Sequence, residues 1–173
     1  MPTVAWTTRP PGAITFGQPD GDRHPNVGAL LADWDPDSPG PDILCSGTLI
    51  DERVFLTAAH CTAFLESEGI AQVWVPFAPA NDEDATSLAG LFAGTSVTHP
   101  EFGSGGASHP HDIAVVLLEL SPGITPAVLP AAGLLDRFKA SHELRDRIFT
   151  AAGYGTVRED KTGGPPALRQ GSS

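Results

Sequence analysis

The chain has 173 residues, 40 % of them apolar, a net charge of −11, two cysteines, 19 glycines and 17 prolines. That length allows one domain with a real core, or one domain and part of another, and the apolar share excludes wholesale disorder. The acidic balance excludes nucleic acid as a default partner, because phosphate binding needs clustered Lys and Arg, and it reads as a solvated surface.

No apolar run reaches the ~18 residues that a membrane span needs. The longest, 113–118, is strand-sized. The N-terminus, MPTVAWTTRPPGA, shows neither a basic nor an apolar signal region, so no secretory signal is read there. The abundance of Gly and Pro favours short strands joined by turns over long helices.

In chain order, residues 1–26 read as irregular and 26–32 as a short apolar strand, followed by the turn-prone insertion 33–41. Residues 43–50 and 53–57 form a predicted hairpin around Asp51-Glu52, and 58–66 a helical turn or two. Strands follow at 71–77 and 88–98, separated by the acidic loop 81–84. The segment 101–110 is a Gly/Ser/His loop, and 113–120 an apolar strand fit for burial on both faces. A surface helix is predicted over 134–147 and a last strand over 147–156, with 157–173 polar and without predicted structure. Many short strands and little helix suggest an antiparallel barrel or sandwich.

Both cysteines lie in the stretch 44–61, LCSGTLIDERVFLTAAHC, with one histidine directly before the second. On spacing alone two readings stand: a crosslink, or two free buried thiols with His60 ending a strand. If Cys45 and Cys61 pair, the closed loop is worth roughly 3 kcal/mol and fixes where His60 points. A catalytic imidazole needs such fixing, since an error of about 1 Å can cost roughly 100-fold in rate.

The exact residues go further. CSGTLI followed by LTAAHC resembles the histidine motif of the chymotrypsin-like (trypsin-like) serine proteases. The resemblance implies that His60 is the general base and that Cys45 and Cys61 form the disulfide beside it. His111-Asp112-Ile113-Ala114-Val115-Val116-Leu117-Leu118 resembles the segment that carries the family's triad aspartate, matched by Asp112. Taken alone, Asp112 is a loop residue ending a turn. Yet a carboxylate leading into an apolar strand is costly unless it finds donors, and an imidazole N–H is one.

Further pieces agree in order. Ile14-Thr15-Phe16-Gly17 with Val27-Gly28-Ala29-Leu30 resembles the family's mature N-terminus and first strand, although Phe16 departs from the usual small or polar residue. Thr98-His99-Pro100-Glu101-Phe102 resembles the stretch before the aspartate loop, and Ala127-Val128-Leu129-Pro130 the exit from the first barrel. Ala152-Gly153-Tyr154-Gly155-Thr156 resembles the Gly-Trp-Gly-Thr strand that opens the second barrel, with Tyr for Trp. The resemblance runs from about Ile14 to Thr156.

The family's nucleophile lies in Gly-Asp-Ser-Gly-Gly, which does not occur here. Phe102-Gly103-Ser104-Gly105-Gly106 mimics it, but it precedes Asp112 and reads as a flexible loop. Ser172 and Ser173 lie in a polar tail. Without that segment the oxyanion hole and the specificity pocket are also missing. The chain therefore reads as a fragment of a longer protease, inactive alone, with the residues before Ile14 as a pro-segment remnant.

The expectation is an all-β, chymotrypsin-like fold with the first antiparallel β-barrel complete and the second only begun. Residues 1–13 are an irregular leader, 14–125 the first barrel with His60 and Asp112, 126–147 a connector and 148–173 the start of the second barrel. The resemblance implies a serine endopeptidase with a protein or peptide substrate, no cofactor, no membrane partner and a monomeric, secreted parent, since one disulfide does not persist in a reducing cytosol. Three alternatives are weighed against it. One is a non-catalytic homologue acting as a binding or regulatory module. Another is a His60–Asp112 dyad activating water, for which no oxyanion site is seen. The last is a divalent metal on His99, His109, His111 and Asp112, for which a surface loop is the simpler reading; the expectation is no metal.

Overall fold

The computed structural model describes residues 18–35, 37, 40–77, 90–103, 111–155 and 167–172. The readings on Ile14 and the leader, the acidic loop 81–84, Ser104, His109, 157–166 and Ser173 lie outside the described residues.

Strand β1 (Gln18–Pro19) is followed by β2 (Val27–Ala32), β3 (Asp42–Asp51) and β4 (Val54–Thr57). Helix α1 (Ala59–Ser67) leads to β5 (Gln72–Val75), β6 (Phe92–Thr98) and β7 (Ala114–Leu118). Helix α2 (Leu134–Ala140), a 3-10 turn (Glu143–Asp146), β8 (Ala151–Gly155) and β9 (Ala167–Ser172) complete the order.

Six strands close into an antiparallel barrel in the order β2-β3-β4-β7-β6-β5. Closure removes sheet edges, which short strands otherwise expose. The hairpin of β3 and β4 turns at Glu52-Arg53, with Asp51 Oδ1 accepting the Glu52 N–H at 2.7 Å. Leu30, Leu49, Phe55, Leu65, Val73, Val75 and Val116 fill the core. Phe55 meets Phe77 edge to face, with centroids 5.9 Å apart.

Two glycines make room for that ring. Gly28 and Gly47 face each other across β2 and β3. A Cβ on Gly47 would lie 2.5 Å from Phe55 Cζ, and one on Gly28 would lie 3.1 Å from Cε2. The pair gives up side chains so that one aromatic can fill the barrel.

The strand buried on both faces is β2, not β7. All six residues of β2 are buried. Leu30 and Ala32 join the barrel core, while Val27, Ala29 and Leu31 pack outside it with Tyr154 of β8. In β7 only Ala114, Val116 and Leu118 turn inward, and Leu117 is 50 % exposed. An apolar run alone does not say what covers its outer face.

Three further expectations need correction. The helix predicted over 134–147 breaks at His142, which has φ +62°, and only the short 3-10 turn follows. The last predicted strand begins at Ala151, leaving Ile148 and Phe149 exposed. The polar tail does contain a strand: β9 pairs with β8 and with β1 in a three-stranded sheet.

Candidate active site

Strand β4 ends at Thr57, and Ala58 (φ −92°, ψ 142°) turns the chain from extended backbone into α1, with no side-chain cap of its own. The first N–H groups of a helix lack intrahelical partners and carry partial positive charge. Asp112 supplies what is missing from 52 residues away: its Oδ1 accepts the His60 backbone N–H at 2.8 Å. Its Oδ2 stands 2.8 Å from Nδ1 of the His60 ring. The carboxylate thus caps the helix and holds the imidazole at once.

Both partners of that pair are anchored. Cys61, buried in the first turn of α1, is disulfide-bonded to Cys45 of β3, with Cα atoms 6.5 Å apart. On the other side of α1 the Thr62 and Thr98 hydroxyls lie 2.7 Å apart, and Thr98 donates to Glu66 at 2.5 Å. Asp112 is held from both sides, since Ile113 N–H donates to His111 O at 2.8 Å and His99 N–H to Ile113 O at 3.2 Å.

The site opens to solvent, with the His60 side chain 63 % and that of Asp112 37 % exposed. Burial pushes the Asp112 carboxyl up, but hydrogen bonds from the His60 ring and backbone, the charge of His60 and the Ala59 N–H outweigh it. The group is held below its ordinary value. With Nδ1–H directed at Asp112, the ring carries its lone pair at Nε2, to which no hydrogen bond from the described residues runs. The geometry suits proton abstraction at Nε2 with charge compensation behind.

The structure brings His60 against Asp112 and joins Cys45 to Cys61. Sequence reasoning missed the backbone half of the Asp112 contact. It also missed a second carboxylate–imidazole pair, His24 Nδ1 to buried Asp20 Oδ1 at 2.8 Å, which belongs to a local turn. The i, i+4 spacing of Asp and His before a Pro was the available signal.

Comparison with known proteins settles the family. The trypsin family model matches residues 35–172. The chain belongs to the trypsin family. Human kallikrein-12 is 33% identical over 92 residues, covering 53% of this chain and 34% of the kallikrein. CLIP domain-containing serine protease B15 of Anopheles gambiae is 27% identical over 125 residues, covering 66% of this chain and 34% of that protein. The chain thus spans about a third of the length of these two relatives. A solved HL collagenase structure superposes with a TM-score of 0.56 over 92% of this chain and 61% of that one, at 20% identity. That likeness speaks to the fold alone, which is the all-β, chymotrypsin-like fold of the trypsin family.

Proposed function

We propose that this chain supplies the base and the orienting carboxylate of a trypsin-like serine endopeptidase. His60 takes the proton of a serine nucleophile at Nε2 as the serine attacks a peptide carbonyl, then returns it to the leaving amine. Asp112 keeps the ring in the required tautomer and stabilises the imidazolium that forms. The observation that carries this reading is the double hydrogen bond from His60 to Asp112 at the end of a disulfide-anchored helix.

The Gly-Asp-Ser-Gly-Gly nucleophile motif does not occur among the 173 residues. Taken by itself the chain therefore carries two members of a triad, with the first barrel closed and the second begun at β8, and forms no acyl-enzyme. The substrate class is protein or peptide, in keeping with the trypsin family. The parent protein is monomeric and acts outside the reducing cytosol, where the Cys45–Cys61 bond persists.

A fluorophosphonate probe tests the reading. No serine of the 173-residue chain should label, whereas a longer chain that continues into a Gly-Asp-Ser-Gly-Gly segment should label, and His60→Ala should abolish it. Labelling of the 173-residue chain itself would sink the proposal. A longer chain that keeps a second barrel but never labels would favour the non-catalytic homologue instead.

A further inference from the structure

A second histidine cluster lies beside the His60–Asp112 pair and takes no part in it. His99, just past the end of β6, and His111, next to Asp112, stack ring on ring with centroids 4.8 Å apart and planes 7° from parallel. Glu101 stands against them, its Oε2 3.6 Å from His111 Nε2. One ligating atom from each of the three residues lies within 4.8 Å of the others.

The Nδ1 of His111 is buried and has no hydrogen-bond partner among the described residues. An imidazole binds an ion through one nitrogen, and the one that faces Glu101 is Nε2, so Nδ1 would carry the ring proton and leave the Nε2 lone pair to the ion. Two imidazoles and a carboxylate are the donor set of Zn²⁺ and its borderline neighbours rather than of Ca²⁺ or Mg²⁺.

Neighbouring groups narrow the choice of ligands. Asp112 is unavailable, because both of its oxygens face His60. Cys45, His60 and Cys61 also come close together, but the two sulfurs are bonded to each other and offer no thiolate.

We propose that His99, Glu101 and His111 form a site for Zn²⁺ or a similar divalent transition ion. An imidazole lone pair lies in the plane of its ring, so one ring turns out of the stack on binding. His99 is the one to turn, giving up the 3.2 Å hydrogen bond that its Nδ1 accepts from the Glu101 N–H. Three protein ligands leave a fourth position to water. The ion ties the end of β6 to the residue before Asp112. The site stands or falls independently of peptidase activity.

Titrating the 173-residue chain with Co²⁺ and following its visible absorption tests the site. One equivalent should bind with the intense bands of a tetrahedral centre, and Zn²⁺ should displace it. Glu101→Gln and His99→Gln should each weaken binding by about tenfold or more, while His60→Gln and His142→Gln bind as the parent chain does. Glu101 is exposed, so its replacement tests the site even where a His111 variant misfolds. Absence of a tetrahedral spectrum, or unchanged affinity in both Glu101→Gln and His99→Gln, overturns the proposal.

Discussion

Asp112 holds His60 through two contacts of equal length: Oδ1 to the backbone N–H and Oδ2 to the ring Nδ1, each at 2.8 Å. One contact would leave either the helix end or the ring free to turn. Two fix both, and each protects the other from competition by water.

An amide in place of the carboxylate breaks that division. In Asp112→Asn the oxygen can still accept the His60 backbone N–H, but the amide nitrogen then donates to Nδ1 and forces the proton onto Nε2. In a chain extended through its nucleophile segment, kcat should fall by about 10⁴-fold with KM little changed, the loss expected when a triad histidine is held in the wrong tautomer. Steady-state kinetics on a peptide substrate checks this; a loss under tenfold would mean that Asp112 does not orient the base.

The lowered Asp112 carboxyl predicts acid sensitivity with a defined sign. The group binds protons less readily folded than unfolded, so its contribution is complete above the unfolded value near ~3.9 and is lost as pH falls through the lower folded value. The melting temperature of the parent chain should therefore drop more steeply below about pH 4 than that of Asp112→Asn. Parallel curves would count against the prediction.

The disulfide closes a separation of 16 residues and pins α1 to β3. Cys45→Ser with Cys61→Ser should cost roughly 3 kcal/mol of unfolding free energy by urea titration. Loss of the anchor should also broaden the His60 ring resonances before the barrel itself unfolds.

At Gly47 a methyl group has nowhere to go. Its Cβ would fall on the Phe55 ring and the Leu56 carbonyl oxygen, and backbone cannot yield as a side-chain tip can. Gly47→Ala should destabilise by about 1–3 kcal/mol, the usual cost of overpacking a core. Gly40→Ala, at a position open to solvent, should be nearly silent.

Val128 is 96 % exposed and Ile148 83 %, with Leu120, Phe149 and Leu117 also largely uncovered. Apolar groups of that size in water favour self-association. The 173-residue chain should bind a hydrophobic dye and aggregate with concentration, and replacing Ile148 and Phe149 by Lys and Glu should reduce both. A monomer with a sharp melt and no dye binding would argue that these side chains need no cover.

The β3–β4 hairpin was legible because two short apolar runs flank the polar Asp51-Glu52 turn, a signal that acts locally. The pairing of His60 with Asp112 was legible because both sit in long motifs that few other chains share. Where the sequence failed, the deciding partner was distant. The outer face of β2 is buried by Tyr154 of β8, and β7 lacks such a cover although its residues are as apolar. Strand β9 owes its ladder to β1 and β8, which no reading of a polar tail reveals. Helix α2 stops before His142, whose φ of +62° is left-handed; His adopts that conformation more often than most residues, but too rarely for its presence alone to mark a helix end. The capping of α1 by Asp112 is of the same kind, a helix end completed across 52 residues.

The most direct test of the central claim is the tautomer of His60, read by nitrogen-15 NMR on the 173-residue chain at about pH 8, above the ordinary imidazole range. The expected result is a proton on Nδ1, shifted by its bond to Asp112, and a bare Nε2. A protonated Nε2, or a ring averaging between tautomers as a free histidine does, would contradict it.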